Sequence, residues 1–289
     1  MTRDRKPAEH QIHRKSSDGS SPGVFALEAA GLLWLDEGPV RCAPVHNVGA
    51  DFLELGRIGS AQPTPEAARS FGRALAQTHD LGAEAFGAAP PVPAASSQWT
   101  RPAPEEGWRS GWFGPLEQPI EVSLEPTDSW GAFYGGQRLR PMLERLRSRG
   151  VTDSELEDIE RATEAIERAT EAIEAGRFDD GDRPARIHGD LWAGNLMWDD
   201  QGAVLIDPAA HGDHREQDLA FLSIFGAPHL EEILAGYQEA HPLRDGWHER
   251  TGLHQLFVLI AHAVLFDPPR GGSYLGAADR AARSALELL

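Results

Sequence analysis

His188-Gly189-Asp190-Leu191-Trp192-Ala193-Gly194-Asn195, followed by Leu205-Ile206-Asp207-Pro208, interrupts a chain that is helical in texture on both sides. The residues between read as a short strand (196–198), a turn (199–202) and a second strand (203–206). An Asp is thus followed five residues later by an Asn, and then by a second Asp at the far end of a β-hairpin. Asp and Asn also favour turns for conformational reasons alone. The hairpin, the His-Gly before the first Asp and the second Asp make the set more specific than the Asp–Asn pair.

This is the spacing of a phosphoryl-transfer catalytic loop. Asp190 can orient an attacking hydroxyl and accept its proton. Asn195 offers a neutral oxygen to Mg²⁺, and Asp207 an anionic oxygen that bridges the metal to nucleotide phosphates. Magnesium favours one or two carboxylates plus phosphates over an all-protein cage, which fits this set. The phosphates also need a cation, and only Lys6 and Lys15 occur among 27 basic residues. Lys15 precedes a loop, and Glu28 lies on the helix predicted over 25–35, which Gly38-Pro39 closes. A strand Lys held by a helix Glu is the ion pair that aligns phosphates in this chemistry. The plainer alternative for Lys15 is a solvated surface side chain.

Working outward, 289 residues suffice for one large domain or two lobes. With 27 basic against 45 acidic residues the net charge is −18, which argues against phosphate-backbone and anionic-lipid partners. A single cysteine, Cys42, excludes an internal disulfide framework and a Cys-rich zinc site. The polar first 15 residues do not read as a secretory signal, and the apolar run over 256–266 is broken by His262 and too short for a bilayer. A cytoplasmic protein is expected.

Residues 1–23 are polar. Short strands are predicted over 40–48 and 51–55, and a helix over 66–79. Residues 87–107, rich in Pro, Ala and Ser, read as a flexible surface insertion. A helix is expected over 129–149. Glu-Arg-Ala-Thr-Glu-Ala-Ile occurs at 160–166 and again at 167–173, aligning Ile159, Ile166 and Ile173 on one long amphipathic helix. Further helices are expected near 216–225, 228–240, 246–266 and 274–288. The layout is α+β: a small strand-containing lobe over 1–57, and a large helical catalytic and substrate lobe over 58–289.

HGDLWAGN at 188–195, LIDPAAHGDHREQDLA at 205–220 and FGAPHL at 225–230 resemble the fructosamine kinase (ketosamine-3-kinase) family. Thr78-His79-Asp80-Leu81-Gly82-Ala83 with Phe86-Gly87, and Gly111-Trp112-Phe113-Gly114-Pro115-Leu116, add to the resemblance, which covers roughly 13–86 and 108–289. It implies a bilobal protein-kinase-like fold, shared with aminoglycoside and choline phosphotransferases. It implies an ATP- and Mg-dependent kinase that phosphorylates ketosamines, free or on glycated protein, at the sugar 3-hydroxyl, so that the adduct decomposes and frees the amine. Carried onto this chain, Asp190 resembles the catalytic base, Asn195 and Asp207 the metal ligands, and Lys15 and Glu28 the phosphate-aligning pair. Phe52, Leu53, Glu54 and Leu55 resemble the hinge that receives adenine through backbone groups. Asp218, with His188, resembles the buried brace of the catalytic loop.

Trp192 is either a platform for the sugar face or a packing indole. His211, His214, Arg215 and Glu216 are candidates for the substrate cleft, with a structural brace as the alternative; His211-x-x-His214 lacks a third metal ligand. His254 and His262, eight apart on one helix face, read as core or cleft wall. One departure concerns the front of the chain: only 14 residues precede Lys15, they are polar, and they lack glycine. Two strands and a phosphate-covering loop would not fit there, so the expectation is either a start further upstream or a small lobe without its cover. Two rival readings follow: an aminoglycoside- or choline-type phosphotransferase acting on another amine-bearing alcohol, and a catalytically impaired pseudokinase.

Overall fold

The computed structural model describes residues 11–17, 23–93, 107–148, 153–267 and 270–289. At the front, β1 (Ile12–Ser16), β2 (Val45–Val48) and β3 (Phe52–Gly56) form an antiparallel sheet in the order β1-β3-β2. Strand periodicity is visible in β3, where Leu53 and Leu55 are buried and Phe52 and Glu54 are partly exposed. Between β1 and β2 runs α1 (Val24–Leu35), buried over most of its surface because it lies between the sheet and the segment after Asp207. Its Gly31 meets Pro208 and Ala210. Helix α2 (Pro65–Asp80) starts where sequence chemistry says it should: Thr64 Oγ1 accepts from Ala67 N at 3.2 Å, and Pro65 occupies the first turn.

A hairpin of β4 (Ser110–Phe113) and β5 (Ile120–Ser123) follows. Next, α3 (Trp130–Phe133) continues through a π-helical turn (134–139) into α4 (Arg140–Arg147), so the helix expected over 129–149 is one helix with a π-turn inside it. Helix α5 (Asp153–Glu174) carries the heptad repeat; Ile166 and Ile173 are fully buried, and the side chain of Ile159 lies outside the described residues. Short β6 (Ala185–Ile187) leads into the quoted loop, the hairpin β7 (Leu196–Asp199)–β8 (Gly202–Leu205) follows, and β9 (His211–Asp213) pairs back with β6. The chain ends in α6 (Glu216–Phe225), α7 (Leu230–Ala240), α8 (Trp247–Leu265) and α9 (Arg270–Leu286).

Two hydrophobic cores hold these elements. One joins α1, the front sheet, α2, the β7–β8 hairpin and α7; the other joins β4–β5, the π-turn, α4, α5, α8 and α9. Each fully buried Leu or Phe in them contributes about 1.5–3 kcal/mol. The first core extends on both sides of residue 57, so packing is continuous across that point. The start of the segment expected as a surface insertion is built into the fold: Ala88 is buried, and Gly87 N donates to Gly212 O at 2.7 Å. Residues 94–106 lie outside the described residues. Among the described residues, no helix is long and apolar enough to cross a membrane.

Candidate active site

β6 is buried along its whole length and delivers the chain to His188 at a fixed place. Gly189 follows with φ 81°, and a Cβ there would lie 2.3 Å from Ala209 O, so the turn admits only glycine. The amides of His188 and Gly189 donate to the two carboxylate oxygens of Asp218, at 2.7 and 2.9 Å. Asp218 is fully buried in the first turn of α6 and also meets His79 Nε2 at 3.2 Å; His79 Nδ1 lies 2.8 Å from Tyr237 Oη. Burial alone would raise the Asp218 carboxyl, but His79, His188 and the His188 amide together hold it below its ordinary range. Burial keeps the His188 imidazole below its ordinary value, hence neutral. In that form Nε2–H donates to Ile206 O at 2.9 Å while Nδ1 accepts from Asp190 N at 3.2 Å. One ring thereby ties the loop of Asp190 to the residue before Asp207.

Asn195 donates through Nδ2 to Asp190 O (2.8 Å) and to Asp190 Oδ2 (3.0 Å). Its amide is therefore oriented, and Oδ1 has no protein donor among the described residues. Asp207 sits at φ 53°, a left-handed conformation rare for a residue with a Cβ and concentrated at functional sites. Its Oδ1 accepts from Lys15 Nζ at 3.1 Å, and Lys15 also donates to both oxygens of Glu28 at 2.8 and 2.9 Å. Burial would depress the Lys15 ammonium, but Glu28 and Asp207 outweigh it and hold its pKa above the ordinary value. Asp190 is pushed up to about 7, chiefly by burial, with the charges of Asp207 and Asp218 adding to it and the Asn195 bond opposing it. Lys15, Glu28, Asp190, Asn195 and Asp207 all line one cleft of about 660 Å³, within the range of small-ligand sites. The donors suit a hard divalent cation: an oriented amide oxygen, a carboxylate, and no sulfur or imidazole.

Trp192 also lines this cleft and is 41% exposed. Its indole folds over Gly194, where a Cβ would lie 2.2 Å from the ring, and meets Phe225 edge-on at 6.2 Å.

Two sets of expected residues fall elsewhere. Phe52, Leu53, Glu54 and Leu55 do not form a hinge: they are inside β3, the middle strand, paired with β1 on one edge and β2 on the other. Their backbone groups belong to the sheet ladder, and even Arg57 N still donates to Gln11 O at 2.9 Å. His211, His214, Arg215 and Glu216 do not line the cleft; all four are buried behind the loop. Arg215 pairs with Asp80 (3.0 Å) and Asp182 (2.9 Å), and Glu216 pairs with Arg250 (2.6 Å) and His254 (3.3 Å). His214 reaches Asp180 at 3.4 Å and stacks on His254, while His211 Nδ1 donates to Ala209 O at 2.7 Å. Charge in this run is consumed internally, as a brace requires and a substrate wall does not.

On α8, His254 belongs to that buried cluster and His262 to the cleft. The structure adds cleft residues absent from the sequence-based set: Trp112 to Leu116 on the β4–β5 hairpin, Phe225, Phe266, Arg270 and Tyr274. Gly111 to Leu116 had a signal in the family-like motif; the α8–α9 residues had none, because a helical aromatic reads equally well as core.

A family model for fructosamine kinase matches residues 6–287. A protein of Vibrio parahaemolyticus named as a ketoamine kinase is 29% identical over 92% of this chain and 82% of its own length. A solved structure of a Thermobifida fusca protein described as a fructosamine-3-kinase superposes with a TM-score of 0.77 at 36% identity, covering 96% of this chain and 85% of the other. An ADP-bound aminoglycoside phosphotransferase, APH(2″)-Ib, shares the fold at a TM-score of 0.54 and 15% identity, over 95% of this chain and 88% of its own. With the braced loop and its cleft in view, these matches mean that the chain belongs to the fructosamine kinase family and is a phosphotransferase of protein-kinase-like α+β fold.

Proposed function

We propose that this chain transfers the γ-phosphoryl group of ATP to the 3-hydroxyl of a ketosamine. The observation that carries the reading is the convergence of Lys15, Asp190, Asn195 and Asp207 on one cleft. The hydroxyl oxygen forms a bond to the γ-phosphorus as the bond to the β–γ bridging oxygen breaks; ADP leaves, and the hydroxyl proton passes to Asp190. Asp190 orients the hydroxyl, and the His188–Asp218 brace keeps it in place. Lys15, held by Glu28, sets the nucleotide phosphates. Asn195 Oδ1 and the Asp207 carboxylate would hold Mg²⁺, which supplies neutralisation of phosphate charge. Such catalysis is positioning plus electrostatics. The nucleotide lies between the small lobe of 1–57 and the helical lobe of 58–289. The phosphorylated adduct then decomposes and releases the amine, a deglycation role.

The test is incubation with ATP, Mg²⁺ and fructosyl-lysine, followed by phosphorus NMR of the products. A phosphate monoester coupled to the proton on carbon 3 is the expected product. Transfer to an aminoglycoside with none to the ketosamine would overturn the acceptor assignment.

A further inference from the structure

The acceptor half of the cleft is walled by rings. Phe225, Phe266 and Tyr274 surround His262 at centroid distances of 5.9, 5.6 and 4.9 Å. His262 Nδ1–H donates to Val258 O at 2.7 Å, and burial holds the ring below its ordinary pKa. The neutral ring therefore keeps Nε2 as an acceptor. The first turn of α9 adds one cation to this wall. Arg270 stands four residues before Tyr274, on the same helix face, with its guanidinium 3.9 Å over the Phe266 ring. The other cation of the cleft, Lys15, is engaged by Glu28 and Asp207. Arg270 has no carboxylate partner among the described residues, so its planar fork of N–H donors is available to a ligand.

Building on the ketosamine reading, we propose that Arg270 binds the carboxylate of the acceptor, and that the acceptor is the ketosamine of a free amino acid. Its sugar lies toward Asp190, its ammonium rests against the rings, and its carboxylate meets Arg270. The composition of the cleft supports this order: Glu28 and Asp207 are gathered on Lys15, whereas Arg270 stands among the rings of Phe266, His262 and Tyr274. A glycated side chain within a protein presents neutral peptide groups where the free amino acid presents an anion, and so forgoes a charge-assisted pair.

The experiment compares kcat/KM for N-fructosyl-valine and for its carboxamide, in the native protein and in the Arg270→Gln and Arg270→Lys variants. The amide keeps the shape and removes the charge. The native protein should favour the acid by about tenfold or more. In Arg270→Gln the acid-to-amide ratio should fall to near one, and Arg270→Lys should restore part of it. Acid and amide turned over within twofold by the native protein, or a ratio unchanged in Arg270→Gln, would overturn the Arg270 assignment while leaving the ketosamine kinase reading intact. Phosphorylation of neither compound while fructosyl-lysine is phosphorylated would overturn the Arg270 assignment alone, and phosphorylation of none of the three would overturn both.

Discussion

Replacing Asp190 by Asn should make this protein more stable while it abolishes transfer. The carboxyl is pushed from an ordinary 3.8 to about 7, mostly by burial. Its folded-state pKa thus lies above its unfolded one, so the folded chain holds the proton more tightly. Stability from this group is then complete below pH about 4, declines as pH rises toward 7, and stays reduced above that. A tenfold difference in proton affinity is worth about 1.4 kcal/mol, so the charged form costs up to about 4 kcal/mol at pH 8. Asn fills the same volume, can still accept from Asn195 Nδ2, and carries no charge. The variant should gain about 2–4 kcal/mol at pH 8, roughly 4–16 °C in Tm for a chain of this size. At pH 4 the gain should vanish. Urea titrations of both proteins at the two pH values isolate the term, because every other titrating group is common to both. A variant no more stable than the native protein at pH 8, or a gain that persists unchanged at pH 4, would refute the reasoning. The gain would mark Asp190 as a group kept for chemistry at the expense of the fold.

Asp218→Asn removes a buried charge and sets an amide NH₂ against backbone donors; it should destabilise by about 3–5 kcal/mol in chemical denaturation, and a loss under 1 kcal/mol would contradict the brace. Lys15→Met should lower kcat/KM for ATP by about 10²-fold or more in steady-state kinetics, since it removes the cation proposed to set the phosphates; near-native values would place the phosphates elsewhere. Gly194→Ala forces the Trp192 indole off its seat and should raise the acceptor KM several-fold with the ATP KM unchanged; equal KM values for native and variant would make Trp192 a packing residue.

The chemistry of the loop was legible because it is encoded in residue types at fixed spacing. The roles proposed for Asp190, Asn195 and Asp207 need oxygen side chains, and Gly189 admits no Cβ beside the Ala209 carbonyl, so the sequence records each directly. Long helices were legible through periodicity, as Ile166 and Ile173 show. The four-residue strands β4 and β5 and the three-residue β6 and β9 are too short for periodicity and exist through their pairing. The hinge expectation failed because Phe52 to Leu55 has a strand pattern that does not say whether its backbone bonds go to a neighbour or a ligand. His214, Arg215 and Glu216 look like cleft chemistry in one dimension; only the fold reveals Asp80, Asp182 and Arg250 as their partners. Arg270 and Tyr274 reach the cleft by the docking of α9 on α8, a long-range event with no local signature.

The most direct measurement separates nucleotide binding from transfer at Asp190 and Asp207. Calorimetry with ATP in the presence and absence of Mg²⁺, paired with single-turnover transfer to fructosyl-lysine, should show Asp190→Asn binding Mg·ATP within about threefold of native while transfer falls by 10² or more. Asp207→Ala should lose the magnesium-dependent part of the affinity. Native-rate transfer by either variant would contradict the claim that these residues form the phosphotransfer centre.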